Sequence, residues 1–400
     1  MTSAPPPIPP LPAEPSFPAD PSRAAAQIGS GTATPSASSD FDRTTGVRQF
    51  PCRNCGANVT FQPGTAALHC PYCAAVETLP ETAEQIDEHG YEETLAKPRK
   101  PLVHLGPKAV RCSGCGARTE TTAVADRCPF CGASVAPEQD PEELIAPEGV
   151  LPFAFDRSAA AGKFRGWIAS RWFAPSDLKS LAADDGIRGV YVPFWTFDCF
   201  TRTFYTGSRG EYYYVTEHYT VMVNGRSETH TRQVRHTRWY PASGRVQREF
   251  DDVLIPAVKS LPADDLAKLE PWDLGKLAPF RPEFLAGFLA TRYEVELAHG
   301  FTAAQAIMRV VIRGDCCRDI GGDEQRVDDM KTAWQAITFK HVLLPVWSAA
   351  YRYRDRTWRV LINARTGEVI GKRPYSAWKI AGLVLLIAGV AAVVALLARR

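Results

Sequence analysis

Four Cys-x-x-Cys pairs constrain the fold of this 400-residue chain more than any other feature of its sequence. A tight Cys-x-x-Cys turn presents two thiolates to one ion, and two such turns joined by a β-hairpin supply the four ligands of a closed tetrahedral site. The pairs therefore predict two small four-cysteine zinc ribbons, over residues 48–79 and 108–137, with two structural Zn²⁺ ions. The predicted metal ligands are Cys52, Cys55, Cys70, Cys73, Cys112, Cys115, Cys128 and Cys131.

Other metals and arrangements stay open at this point. Iron in a rubredoxin-like site is the alternative, because the sequences Cys-Pro-Tyr-Cys and Cys-Pro-Phe-Cys resemble rubredoxin knuckles and ligand softness allows both metals. A cross-braced pair of sites is also possible, although the 38 residues from Ala74 to Arg111 favour independent ribbons. Four thiolates leave no open position on the ion, so either site is predicted to be structural.

The redox compartment follows from the same cysteines. The first residues contain no basic segment followed by an apolar run, so a secretory signal is not expected. Metal binding in a reducing compartment then fits the paired cysteines better than disulfides do. The three cysteines without a partner motif, Cys199, Cys316 and Cys317, are predicted to be reduced thiols.

The two ends of the chain differ sharply in composition. Residues 1–45 are rich in Pro, Ser, Ala and Thr, which predicts a disordered Pro-rich tail with a polyproline II bias. Ile380 to Ala398 is a run of nineteen residues without a charge, long enough for a helix of roughly 28 Å. Tyr375, Trp378 and Lys379 stand at its entry, as interface anchors do. A transmembrane helix over residues 378–398 is therefore predicted; the alternative is a buried helix of a soluble domain.

Basic residues flank both ends of the apolar run, so loop charge does not decide the orientation of the predicted membrane helix. The orientation is inferred instead from the compartment that the cysteines favour. With cysteines suited to a reducing compartment, the bulk of the chain is expected to be cytoplasmic. The predicted localisation is the cell membrane, as a single-pass protein with a C-terminal anchor in the lipid bilayer.

Charge argues against a dedicated nucleic-acid binder. The chain has 46 Lys and Arg against 44 Asp and Glu, a formal net charge of +2, whereas binding to phosphates requires clustered positive charge. Residues 46–135, which hold both ribbons, carry nine of each sign. Residues 201–250 contain eight arginines against four glutamates. These arginines could contact phosphates, with Arg232, Arg235 and Arg238 as candidates, or could belong to a charged edge strand that blocks aggregation.

The body, residues 148–375 after a linker at 80–107, is predicted to be α+β with antiparallel strands. Leu151–Phe155 is interpreted as a strand, followed by a helix that Asp156 or Ser158 caps and Pro175 ends. A second strand at 189–198 contains Pro193, which indicates an edge or a bulge.

A β-hairpin and a possible duplication are predicted further along the body. Tyr212–Val223 and Arg226–Tyr240 are joined by Asn224-Gly225, a favoured two-residue turn. The pattern Val-x-x-Pro-x-Trp occurs twice, which suggests a duplicated unit; its positions are Val190, Pro193 and Trp195, then Val342, Pro345 and Trp347. Between the copies, one apolar helical face is predicted from Ala304, Ile307, Met308, Val311 and Ile312.

Catalytic motifs are missing from the sequence. It contains no Walker-type phosphate-binding loop, no Gly-x-Ser-x-Gly elbow and no His-Glu-x-x-His helix. We therefore expect no enzyme and assign no catalytic residue, while an unrecognised active site in the body stays a third hypothesis.

The order of motifs resembles a family of bacterial TFIIB-type zinc-ribbon, single-span membrane proteins, which are often labelled primosomal or helicase-like. The resemblance covers residues 50–398 and is most specific at Trp172-Phe-Ala-Pro175 and Val192-Pro-Phe-Trp195. It implies association with phage-shock-type and SPFH (flotillin-like) proteins, and hence a role in membrane-associated assembly. A helicase activity would need a nucleotide-binding loop, which the sequence lacks.

Two functions from different classes compete. The first is a membrane-anchored, zinc-binding scaffold or adaptor that recruits protein partners at the cytoplasmic membrane face, in membrane-stress assembly. The alternative is a membrane-tethered nucleic-acid-binding protein linked to replication or transcription. Neutral ribbons favour the scaffold, and Phe61, Tyr72 and Phe130 are its candidate exposed contacts.

Overall fold

The computed structural model describes residues 41–42, 47–48, 50–80, 86–96, 108–112, 117–121, 128, 130, 135–137, 145–175, 187–223, 226–353 and 356–398. The predicted Pro-rich tail lies outside the described residues, except for two of its last residues, which form the first strand. The strands are β1 (Phe41–Asp42), β2 (Val47–Arg48), β3 (Thr60–Gln62), β4 (Ala67–His69), β5 (Val76–Thr78), β6 (His89–Gly90), β7 (Lys108–Cys112), β8 (Arg118–Thr121), β9 (Val135–Pro137), β10 (Gly149–Val150), β11 (Ile187–Val223), β12 (Arg226–Pro256), β13 (Ala278–Pro279), β14 (Leu289–Thr291), β15 (Glu324–Tyr353), β16 (Arg356–Asn363) and β17 (Val369–Gly371). The helices are α1 (Tyr91–Ala96), α2 (Arg157–Ala169), α3 (Ala263–Ala267), α4 (Leu297–Ile320) and α5 (Ala377–Leu397), with 3₁₀ turns at Leu274–Lys276 and Pro282–Leu285.

Two long strands form the centre of the body. β11 and β15 run antiparallel, from the pair Ile187↔Ala349 to the pair Gly210↔Glu324. β12 lies on the other side of β11, and β16 lies on the other side of β15. The predicted antiparallel strands of the body are thus confirmed, as parts of one large sheet.

The central pair is apolar on both faces because helices and loops cover both. Tyr191 and Trp195 lie on one face, in clusters with α2 and α4 respectively, whereas Val192 and Phe194 lie on the opposite face, in a cluster with residues 258–272. Strands covered on both faces have near-continuous apolar sequences instead of alternating ones, and Gly189–Phe197 has such a sequence.

Pro193 corrects the expectation of a simple edge strand. It lies in a central strand, opposite Leu343 of β15. On the other side of β11, β14 pairs with it as far as Tyr191, and β12 pairs with it from Phe194 onward. The missing N–H of the proline therefore falls at the gap between two partner strands, where no ladder bond is lost.

Helix α2 begins as predicted but ends earlier. The Asp156 carboxylate accepts a hydrogen bond from the Ala159 N–H at 2.8 Å, which confirms the N-cap. The helix ends at Ala169, with Ser170 as its C-cap, so the prediction that Pro175 ends it is wrong. The predicted strand at Leu151–Phe155 is also wrong, because strand pairing stops at Val150 and the following residues form a buried irregular segment.

Helix α4 buries a narrower face than predicted. Ala304, Met308 and Ile312 are buried against the sheet, whereas Ile307 and Val311 are exposed. Spacings of four residues follow one side of a helix, and the two exposed residues lie at the margin of that side.

Two short strands flank the central pair in equivalent ways. β10 pairs in parallel with β15 at Val342–Leu343, and β14 pairs in parallel with β11 at Val190–Tyr191. Each short strand precedes a helix and then a long strand, in the orders β10–α2–β11 and β14–α4–β15. Val190 and Val342, which begin the two copies of the repeated motif, thus have equivalent partners.

The predicted hairpin forms a projecting ribbon, residues 211–238. β15 begins at Glu324, opposite Gly210, and the remainder of β11 continues in register with β12 as far as the pair Val223↔Arg226. Thirteen residue pairs correspond to about 43 Å at 3.3 Å per residue. Asn224 and Gly225 lie outside the described residues, but the pair that flanks them confirms a hairpin with a two-residue connection.

The two predicted ribbons share buried contacts with the body. β3, β4 and β5 form a small sheet whose Phe61 lies 5.2 Å, ring to ring, from Phe284. β8 pairs with β14, which adds the second ribbon to the edge of the large sheet. The predicted linker also contributes, since Tyr91 packs 4.7 Å, ring to ring, from Phe301.

A paired glycine test checks the sheet register. A Cβ on Gly207, at the bulge between β11 and β15, would collide with the backbone carbonyl oxygen of Arg326. We expect Gly207→Ala to destabilise the protein by roughly 1–3 kcal/mol, because the closely packed backbone can move aside only at a cost in free energy. The control is Gly166→Ala on α2, where no atom lies within 4 Å, and we expect a gain of up to about 1 kcal/mol. Thermal unfolding of the detergent-solubilised chain measures both, and equal Tm values would contradict the register.

Candidate metal centre

The first four predicted ligands converge on one point. The Sγ atoms of Cys52, Cys55, Cys70 and Cys73 all lie within 4.8 Å of one another. The Cys52–Cys73 and Cys55–Cys70 sulfur pairs are each 3.5 Å apart. A tetrahedral ion with Zn–S bonds of about 2.3 Å requires sulfurs roughly 3.8 Å apart. That distance lies between the 3.5 Å of these two pairs and the 4.8 Å that bounds the whole cluster. The cluster is therefore compatible with a zinc site.

The backbone of each knuckle explains why this spacing brings two sulfurs together. The Cys52 N–H donates to the Ala57 carbonyl at 2.7 Å, and the Cys70 N–H donates to the Ala75 carbonyl at 2.9 Å. These bonds close tight turns, and the residue after the second cysteine has a positive φ, +75° at Gly56 and +58° at Ala74. Glycine adopts that conformation freely, while Ala74 holds it at some steric cost.

The surroundings fit a closed structural centre. Cys52 and Cys70 are buried, Cys73 is half-buried and Cys55 is exposed, and all four are free thiols and not disulfides. The pKa of Cys73 is lowered to about 6, because the Ala75 N–H and then the Asn54 side chain hydrogen-bond to its sulfur. At Cys55 the Ala57 N–H also lowers the pKa, but the neighbouring sulfurs of Cys73 and Cys70 outweigh it and raise that pKa to about 12.

The first ribbon is positioned by main-chain bonds to the body. The Phe61 N–H donates to the Ala286 carbonyl at 2.9 Å, and the Gly64 N–H donates to the Phe153 carbonyl at 2.8 Å. Val59, Phe61 and Leu68 of the ribbon belong to one buried cluster with α2 and the central strands. A metal ion bound at this cluster would therefore hold together a ribbon that forms part of the body's own core.

The second site is described only in part. Cys112 and Cys128 are buried, whereas Cys115 and Cys131 lie outside the described residues. The Cys112 N–H donates to the Ala117 carbonyl at 2.9 Å, the same bond that Cys52 makes in the first ribbon. The Phe130 N–H donates to Cys128 Sγ at 3.4 Å. The second ion stays a prediction.

The candidate aromatic contacts need correction. Phe61 and Phe130 are buried, so they cannot serve as exposed contacts for a partner. Phe61 fills the junction with the body, and Arg359 lies over the ring of Phe130 and donates to its carbonyl. Tyr72, between two ligands of the first centre, is 82% exposed as expected.

A charged cluster in the body was missed by sequence reasoning. The Lys340 ammonium, nearly buried, lies 2.8 Å from Asp252, 3.1 Å from Glu88 and 3.7 Å from Asp198. Burial raises the pKa of Asp198 to about 6. Lys340 lies on β15, and its partners come from the linker and from the long strands β11 and β12, so no local spacing reveals them. Their arrangement is that of a structural ion network joining the linker to the sheet.

The three remaining cysteines lie away from the candidate centre. Cys199 and Cys316 are buried, and Cys199 contacts the sulfur of Met308 at 3.6 Å. Burial raises the pKa of each of these two thiols to about 11, so both are protonated at neutral pH. As predicted, Cys199, Cys316 and Cys317 are free thiols.

The first centre can be tested by removing its most exposed ligand. We expect Cys55→Ser to lower the metal content of the purified chain by one ion, because three thiolates leave the tetrahedral site incomplete. Cys317→Ser, outside the cluster, is the matched control and should leave the content unchanged. Elemental analysis per chain measures both, and equal metal content in the two variants would contradict the assignment.

Comparison with known proteins adds little about function. No protein family and no solved structure matches this chain. Among curated proteins it is similar to the uncharacterized protein YdjG of Bacillus subtilis (strain 168), with 24% identity over 344 residues. The similarity covers 86% of this chain and 95% of that protein. At 344 residues, the similarity extends well beyond the segments that contain the paired cysteines.

Proposed function

We propose that this chain is a membrane-anchored, zinc-binding scaffold that recruits protein partners at the cytoplasmic face of the cell membrane. The single observation that carries the proposal is the terminal helix α5. Its apolar stretch Ala377–Ala395 is long enough to cross a bilayer, and no part of that stretch is buried within the protein. A core helix of a soluble protein would be mostly covered by its own chain.

In this proposal, a bound metal ion is a structural element of the scaffold. Four thiolates at the first centre leave no coordination position for substrate, so the ion stabilises and does not catalyse. We propose zinc as that ion and a second zinc at Cys112, Cys115, Cys128 and Cys131. The repeated knuckle bond at Cys52 and Cys112 supports the second ion. Iron in either centre is the alternative that elemental analysis distinguishes.

The projecting ribbon is the surface that best suits a protein partner. Tyr214 and Met222 are largely exposed on it. Among the described residues, β11 beyond Gly210 pairs with β12 alone, which leaves the outer edges of the ribbon open to an added strand. The family resemblance implies phage-shock-type or SPFH proteins as the partners.

The nucleic-acid alternative depends on the arginines of the same ribbon. Arg232 donates to Glu217 at 2.8 Å, Arg235 lies 4.2 Å from the ring centre of Tyr212, and Arg238 lies 5.0 Å from that of Tyr213. Residues 211–238 hold four arginines and three glutamates, a net charge of +1. Paired guanidinium groups and a low net charge weaken attraction to phosphates, which favours the scaffold.

An internal duplication of the body is also proposed. It is supported by the equivalent parallel partners of Val190 and Val342. A second support is that β12 ends opposite Phe194 and β16 ends opposite Val346, which are corresponding positions of the two copies.

Anchoring by α5 is tested by fractionation. We expect the full chain to resist alkaline carbonate extraction and a chain ending at Pro374 to be soluble. Val390→Arg should weaken insertion, since an arginine at the centre of a membrane helix costs roughly 2.5–3.5 kcal/mol. The control Val390→Leu should insert normally. If the shortened chain stays in the membrane pellet, a different element is the anchor.

Nucleic-acid binding is tested on the full chain in detergent, because the first ribbon shares its core with the body. At about 150 mM salt we expect affinity for duplex DNA no tighter than micromolar, as for non-specific electrostatic binding. Replacing Arg232, Arg235 and Arg238 together by alanine should abolish any binding seen at low salt. Nanomolar, sequence-specific affinity at physiological salt would instead support the tethered nucleic-acid-binding protein.

A further inference from the structure

The first turn of the terminal helix α5 is bonded to a loop of the body. The Ser376 N–H donates to the Phe173 carbonyl at 2.8 Å. The Lys379 ammonium donates to the carbonyls of Trp172 and Ala174, at 3.2 and 2.8 Å. The loop that follows α2, residues 171–174, is therefore held beside the point where the apolar helix begins.

This loop is itself well fixed. The Arg171 N–H donates to the Ile168 carbonyl at 3.1 Å, and the Ala174 N–H donates to the Arg171 carbonyl at 3.0 Å. Ala174 is buried in the cluster that contains α2 and the first ribbon. The loop is thus a tight turn that is bonded both within the body and to the start of α5.

Three large aromatic side chains are exposed at this junction. Trp172 is 79% exposed, Trp378 is 88% exposed and Tyr375 is 63% exposed. By contrast, Trp195 of the central strand is completely buried. Indole and phenol rings have one apolar and one polar end, so they favour the interface between hydrocarbon and water over either phase.

The position of Trp172 relative to α5 indicates whether its side chain is surrounded by water or by lipid. Its carbonyl is bonded to Lys379, which directly precedes Ile380, the first residue of the apolar run. A basic residue at that point marks the headgroup level. Arg171 and Arg373 stack on nearby rings, Trp167 and Tyr375, each 5.2 Å from the ring centre. The loop therefore combines aromatic rings with cations at headgroup depth.

We propose that residues 171–174 form a second membrane contact, in which Trp172 enters the headgroup region of the phospholipid bilayer beside α5. The inference rests on the proposed anchoring and deepens it. Two contacts on one rigid body fix its tilt, whereas a lone helix after a flexible linker would let the body rotate. The occupant of this surface is the lipid bilayer and not a protein.

The test places a photoreactive diazirine residue at single positions of the full chain, reconstituted in vesicles of phosphatidylethanolamine and phosphatidylglycerol. Position 378 is the positive control, at the start of the membrane helix. Position 72 is the negative control, because Tyr72 is as exposed as Trp172 but lies on the first ribbon. Lipid adducts are quantified by mass spectrometry after illumination.

We expect adduct yields at positions 172 and 378 to agree within about two-fold and to exceed the yield at position 72 by about ten-fold. Lipid adducts at 378 without adducts at 172 would overturn the second contact and leave the anchor intact. Equal lipid yields at 172 and 72 would overturn it as well, as would protein adducts at 172. Absence of lipid at both 172 and 378 would refute the proposed anchoring itself.

Discussion

The antiparallel pairing of β11 with β15 is the constraint on which the remainder of the structure depends. It joins two halves of the chain, and every larger element is built outward from it. The apolar residues at 187–199 and 339–349 are buried on both faces, by α2 and α4 on one face and by residues 258–272 on the other. Burial of this kind, at about 25 cal/mol per Å², offsets the entropy of ordering strands so far apart in sequence.

The first metal centre extends this core and does not stand apart from it. The ribbon is too small to bury its own apolar residues, so Phe61 is buried against Phe284 of the body. Conversely, the body's surface at that junction is covered by the ribbon. Binding of a metal ion at the four cysteines would thus be coupled to packing of the core at this junction.

The surfaces proposed to contact the membrane and a protein partner are parts of the chain that this core leaves exposed. Helix α5 has no protein covering its apolar stretch, and the ribbon at residues 211–238 continues past the end of β15. Both the hairpin and α5 are exposed because they extend beyond the residues that pack in the core. The proposed functions of anchoring and recruitment use these two extensions, which the central sheet holds on one body.

The sequence by itself determined the features that local chemistry specifies. The spacing of the cysteines predicts the knuckles at Cys52 and Cys70, and an uncharged run predicts the terminal helix. The Asp156 cap and the hairpin connection each depend on a few adjacent residues. Only tertiary structure decided the burial of Phe61, the place of Pro193 between two partner strands, and the ion network at Lys340. Each of these depends on contacts between residues far apart in the chain, and such contacts leave no periodicity or spacing in the sequence.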